Sequence, residues 1–149
     1  MYVKLIGEIV YLWRAVDHEG EILESYITRE RDKKAALRFM KKPLRLHGSP
    51  EAVTTDGLRS YRAAMTELGN ADKQEVVRWA TNRVENSHLA FRRRERAMLR
   101  FRRMASLRKF ASVHANVNNH FNLERHLVDR QTYKLRRSAP MAEWQDLMG

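Results

Sequence analysis

Two carboxylates stand at positions where chemistry on a phosphate is feasible. Asp56 ends the short apolar, β-branched run "AVTTD" at 52–56, and Glu85 follows 29 positions later in "NRVENSH", just ahead of a run dominated by arginine. In open α/β sheets ligands gather at the carboxyl ends of strands, which is where Asp56 falls. Alone, "TDG" reads as a turn with Asp as a side-chain acceptor, and Glu85 reads as an acid complementing a helix N-terminus. Taken together, the pair suits divalent metal: two Mg²⁺ ions about 3.5–4 Å apart stabilise the attacking and departing oxygens of an in-line displacement at phosphorus.

The residues after Glu85 supply cations for a polyanion. Arg83, His88, Arg92, Arg93, Arg96, Arg100 and Arg103 form the candidate DNA-contacting set. On one continuous helix, advancing about 100° per residue, His88, Arg92, Arg96 and Arg103 would lie within about 60° of the direction of Glu85. A carboxylate and a phosphate-binding ridge would then share a face. Composition agrees: 29 Lys plus Arg against 18 Asp plus Glu give a formal charge of +11, with a pI near 10.4. Such a balance favours nucleic acid, since phosphate contacts release condensed counterions.

Several chemistries are excluded. Without cysteine there is no disulfide framework and no thiolate metal site. His114, His120 and His126 are spaced by six, which turns them to different helix faces, and His114 reads as a satisfied core residue. Asn116, Asn118 and Asn119 are unusual in a helix and suit side-chain bonds to neighbouring segments. Trp13, Trp79 and Trp144 read as packing residues. Neither a Gly-rich nucleotide loop, a nucleophile elbow nor a zinc-protease motif is present. Lys4, Glu8, Arg14 and Asp17 interrupt the apolar N-terminal stretch, so it is neither a signal peptide nor a membrane span. The expectation is a soluble, cytoplasmic protein with no membrane partner.

The elements that must hold these residues follow from periodicity. Runs at 2–6, 9–16 and 22–28, divided by "GE" and "DHEGE", predict three antiparallel strands. A helix capped by Asp32 follows, bounded by Pro43, Gly48 and Pro50; then a strand at 52–56, a helix from Leu58 to Leu68 stopped by Gly69 and Asn70, and a short strand at 74–79. A helix beginning near Asn82 runs on through the arginines; Ser106 caps another to about Asp129, and a short tail helix has Pro140 in its first turn. The fold class is α/β with a mixed sheet and a long helical C-terminal part, in a single domain over 1–149 with 130–149 as a peripheral tail.

"NRVENSHLAFRRRERAMLRFRR", "YLWRAVDHEGEILESYITRERDKKAALRFMKK" and "VTTDGLRSY" together closely resemble the catalytic core of bacterial insertion-sequence transposases of the DDE class, relatives of retroviral integrases. The resemblance implies an RNase H-like fold and DNA strand cleavage and transfer at transposon ends. It also implies two Mg²⁺ or Mn²⁺ ions, and assembly as a homo-oligomer on DNA or mixed with full-length transposase. By that match Asp56 is the second acidic residue of the metal triad and Glu85 the third. Two departures stand out. Thr81 occupies the position where the "NNRxE" motif has its first Asn, and Met1 stands where an Asp-Glu pair carrying the first catalytic Asp would precede "MYVKLIGE". Asp17, in a turn, and Asp32, a helix cap, do not replace it. The expectation is a chain lacking that Asp and the upstream helix-turn-helix, inactive or nearly so alone. The rival readings are a non-catalytic DNA-binding or oligomerising remnant that interferes with the full-length enzyme, and a nuclease of similar fold.

Overall fold

A computed structural model describes residues 1–76, 82–121 and 129–148, apart from the side chains of Arg83, Arg130, Tyr133 and Arg137. Strands β1 (Tyr2–Lys4), β2 (Ile9–Val16) and β3 (Ile22–Thr28) form an antiparallel sheet in that order, as the first 28 residues lead one to expect. Tyr11 of β2 lies opposite Tyr2 on one side and Thr28 on the other. The β2–β3 turn is made by Asp17, whose Oδ1 accepts from the Glu19 and Glu21 amides at 2.9 and 2.8 Å.

Alternation along β2 decides what each face of the sheet buries. Val10 and Leu12 join Val3, Ile27, Phe91, Phe101, Leu107 and Ala111 in one cluster. Trp13 points the other way, into Ala35, Ala36, Phe39, Met40, Ala64 and Met65. The sheet is therefore covered on one face by α1 (Lys33–His47) and α2 (Arg59–Glu67), and on the other by α3 (Asn82–Ala97) and α4 (Met104–Phe121). An apolar strand such as "IVYLWRAV" must be buried on both faces, and it is.

Asp32 caps α1, its Oδ1 accepting from the Ala35 amide at 2.8 Å. The helix does not stop at Pro43 but runs through it to His47, because Leu44 packs against the Trp13 cluster and the chain turns only at Gly48, with φ +79°. β4 (Val53–Thr54) and β5 (Gln74–Glu75) pair in parallel, extended by a bond from the Thr55 amide to the Glu75 carbonyl at 2.9 Å. Among the described residues these strands form a ladder of their own instead of joining β1 in one mixed sheet; with three residues in β1 and two in β4, little ladder is available to bridge them. Positions 77–79 of the expected fifth strand, with Trp79, lie outside the described residues.

The arginine run is not one continuous helix. α3 ends at Ala97, Leu99 and Arg100 take positive φ values of 56° and 72°, and α4 begins at Met104, so Ser106 lies inside that helix instead of capping it. The break lets Phe101 fold back against Phe91 and Phe110, with ring centroids 6.4 and 5.1 Å away. α4 is described as far as Phe121; positions 122–128, including His126, lie outside the described residues. α5 (Arg130–Met148) is 19 residues long with Pro140 in its interior, not a short helix starting there. Asp129 caps it through bonds to the Gln131 and Thr132 amides, and Trp144 packs beside His120 and Phe121.

Asn119 has the side-chain role that its unusual position suggests. Its Nδ2 donates to the Ile22 carbonyl at 2.9 Å and its Oδ1 accepts from the Ile22 amide at 2.8 Å, acting as a one-residue strand partner beside the irregular register at Ala15 and Val16. Asn119→Ala strands two main-chain groups of a buried residue, so a loss of about 2–3 kcal/mol is expected in urea denaturation. Asn119→Asp, which keeps only the acceptor, should lose a comparable amount.

Candidate active site and nucleic-acid interface

Asp56 is both a turn residue and a strand-end carboxylate. Thr55, buried beneath it, accepts at Oγ1 from the Gly57 amide (3.3 Å) and from Gln74 Nε2 (2.9 Å). Asp56 Oδ1 accepts from the Leu58 amide at 3.2 Å, leading the chain into α2. Gly57 is required here: its φ is +77°, and a Cβ would lie 3.1 Å from Val76 Cγ1. The other carboxylate oxygen, Oδ2, meets Arg31 Nη2 at 3.2 Å on a half-exposed surface. Arg31 in turn lies over the Tyr11 ring, 6.0 Å from its centroid. Nothing in the "RERDKK" context singled out Arg31 as the partner of Asp56; β3 and β4 are brought together only by folding.

The start of β1 is within electrostatic reach of both Asp56 and His88 of α3. The Met1 amine donates to the Leu12 carbonyl at 3.0 Å, and burial, then Arg31, depress it to about 6 while Asp56 acts in the opposite sense. On the α3 side, burial and then that same amine hold the His88 imidazole down to about 3, so it is neutral at physiological pH. His88 Nε2 is buried and has no hydrogen-bond partner among the described residues. Glu85, one turn earlier in the first turn of α3, is exposed. Asp56 and His88 are therefore both within electrostatic reach of the Met1 amine.

The arginines divide into two kinds. Arg92 is partly buried and engaged: Nη1 pairs with the buried Glu95 carboxylate at 2.7 Å, Nη2 donates to the Tyr2 carbonyl at 2.6 Å, and the guanidinium lies over the Tyr2 ring. It clips α3 to β1. Arg93, Arg96, Arg100 and Arg103 are exposed, and none forms an ion pair among the described residues. Arg100 and Arg103 lie beyond the end of α3, so they do not continue the helical ridge geometrically. The Arg83 side chain lies outside the described residues.

Beneath α3 sits a cation that sequence reasoning left unassigned. Arg14 of β2 is 5 % exposed; Nη1 donates to the Ser87 carbonyl at 2.8 Å, Nε to Ser25 Oγ at 3.2 Å, and Nη2 to His114 Nδ1 at 3.4 Å. An arginine inside the apolar run "IVYLWRAV" is itself the signal. His114 is a core residue, as its place in the helical pattern suggests, packed against Phe91 and Phe110. Burial, then Arg14, hold it down to about 4. In the unfolded chain it titrates near 6.5, so the unfolded state binds more protons between those values. Stability should fall as pH drops from about 6.5 toward 4, and His114→Gln should flatten part of that slope when urea midpoints are compared at pH 7, 6 and 5.

Among the described residues no three His, Cys, Asp or Glu side chains come together as a metal-holding group, and no helix is long and apolar enough to cross a membrane. A family model for the DDE domain of IS240-type transposases matches residues 1–124. The chain belongs to this DDE transposase family. The DDE domain is also similar to the transposase of insertion sequence-like element IS431mec from Staphylococcus aureus, 32 % identical over 92 residues, covering 58 % of this chain and 41 % of that protein. The transposase of IS257 in transposon Tn4003, also from S. aureus, matches to the same extent. A protein of Yersinia pseudotuberculosis, pYV0051, is 32 % identical over 71 residues, 46 % of this chain and 66 % of its own length. This DDE chain thus spans about two fifths of the length of the Staphylococcus transposases it matches. No solved structure matches it.

Proposed function

We propose that the chain is the catalytic-core part of an insertion-sequence transposase acting in DNA transposition by DNA strand cleavage and transfer, a reaction dependent on Mg²⁺ or Mn²⁺. Asp56 and Glu85 are metal carboxylates of its site. The observation that carries this is their setting: an aspartate at the end of β4 and a glutamate in the first turn of α3, with exposed arginines following along and beyond that helix. The strand order, three antiparallel strands and then alternating helices and strands, supports an RNase H-like topology. The family match over 1–124 supports one domain with 130–149 as a peripheral tail. Transposon-end and target DNA are the partners, on the nucleoid in the cytoplasm, with assembly as a homo-oligomer or with a full-length transposase.

As arranged, the described residues do not fit a two-metal site. Asp56 is paired with Arg31, Asp17 is committed to its turn and Asp32 to its cap, and no group of three His, Asp or Glu side chains among the described residues could hold a metal. Metal binding by this chain alone is therefore weak, and strand transfer by it alone is absent or nearly so. The Arg31–Asp56 pair also favours a second reading, a non-catalytic DNA-binding or oligomerising remnant that interferes with full-length transposase.

Mn²⁺ titration followed by electron paramagnetic resonance tests the assignment. Arg31→Gln should tighten binding several-fold, roughly tenfold at most, by freeing Asp56. Asp56→Asn in that background should cancel the gain. A gain that survives Asp56→Asn would remove Asp56 from the metal site.

A further inference from the structure

The turn joining α3 to α4 carries a combination of features that neither the metal site nor core packing uses. Leu99 is 91 % exposed and sits at φ +56°, a backbone region that disfavours any residue with a Cβ. Met98 beside it is half-exposed, and Ile6 of the β1–β2 turn and Ile9 at the start of β2 are exposed across a groove of about 540 Å³. That groove is also lined by Lys4, Arg100 and Arg102. The one acidic residue lining it, Glu8, lies 4.0 Å from Arg29.

We propose that this turn is a DNA wedge: Leu99, supported by Met98, inserts at a base step of a duplex lying along α3 while the flanking arginines hold the phosphates on either side. The inference rests on the DNA-binding reading above and adds a deformation to it. Charge selects the occupant. A second copy meeting this surface about a two-fold axis would set Arg100 and Arg102 against themselves, whereas a duplex neutralises them. An apolar tip amid cations matches how proteins unstack and kink DNA with Leu or Met side chains. The twelve residue steps from Glu85 to Ala97, at about 1.5 Å each, span about 18 Å and put the wedge at Leu99 about 20 Å from the carboxylate, or roughly six base steps of 3.4 Å. Strand cleavage at Glu85 and distortion of the flank would thus be coupled by one helix.

The probe is a set of duplexes of about 30 base pairs with 2-aminopurine at each step in turn, its emission rising on unstacking, with affinity measured in parallel by anisotropy. The full chain should raise emission several-fold at one or two neighbouring steps. Leu99→Ala should abolish most of that rise while affinity falls by no more than about threefold, since the phosphate contacts remain. Leu99→Gly serves as the folding control, because glycine suits the positive φ, and should behave like Leu99→Ala. Binding with no rise, or a rise unchanged in both variants, would overturn the wedge and leave the DNA-binding reading intact. Loss of a dimer in sedimentation on Leu99→Ala, with the rise unaltered, would identify a protein contact instead and likewise overturn it. Failure of the wild-type chain to bind any duplex at low salt would overturn both.

Discussion

Replacing Arg93, Arg96, Arg100 and Arg103 together by glutamine will remove most of the salt-sensitive part of duplex binding while leaving the fold intact. All four side chains are exposed and without ion-pair partners among the described residues, so their loss strands no buried group. Each phosphate contact contributes about 0.9 to the slope of log affinity against log salt, and four contribute about 3.6. Between 50 and 200 mM salt the wild-type chain should then lose about 100-fold more affinity than the variant, by anisotropy on one duplex. Arg92→Gln must be kept apart from this set. It would leave Glu95, 3 % exposed, without its cation, and so should destabilise the chain by about 3 kcal/mol before any effect on DNA is read. An unchanged salt slope in the fourfold variant would return those arginines to a merely solvated surface.

Arg14→Ala is expected to be the most damaging single substitution. The guanidinium ties β2 to Ser25 of β3, to the Ser87 carbonyl of α3 and to His114 of α4, and lies 5.2 Å above the Phe91 ring. Burial lowers it to about 10, which still leaves it charged at neutral pH. No carboxylate pairs with it among the described residues, so hydrogen bonds and the aromatic face carry the whole compensation. Truncation opens a cavity beneath α3 and removes the bonds that tie β2 to Ser25, Ser87 and His114, a loss of about 3–4 kcal/mol and about 10 °C in melting temperature. Arg14→Met keeps most of the volume and removes the desolvated charge, so it should cost less, about 1–2 kcal/mol. If Arg14→Ala melted within a degree or two of wild type, Arg14 would not be what holds α3, and with it Glu85, against the sheet.

Local signals were strong where the chemistry is local. The β-branched runs divided by Gly7 and Asp17, the Asp32 cap, the turn at Asp56 and Gly57, and Glu85 in the first turn of α3 all lie where their residue types place them. The break at Leu99 and Arg100 was not legible, because neither residue favours a positive φ and no Gly or Pro marks the turn. Pro43 and Pro140, conversely, lie inside helices that they would ordinarily end. Arg92 looked like its neighbours; only the packing of α3 on β1 distinguishes it by burying Glu95 and presenting the Tyr2 carbonyl. Likewise Arg31 reaches Asp56 across 25 positions, a pairing that periodicity cannot show.

The most direct measurement is the joining of labelled transposon-end DNA to a plasmid in Mg²⁺. It compares a version carrying an Asp-Glu pair in the family's position ahead of Met1 with Asp56→Asn and Glu85→Gln in that version. Joining is expected from this version, with both substituted forms lower by about 100-fold or more. Joining that survives Asp56→Asn or Glu85→Gln would contradict the assignment of these two carboxylates as metal ligands of the strand-transfer site.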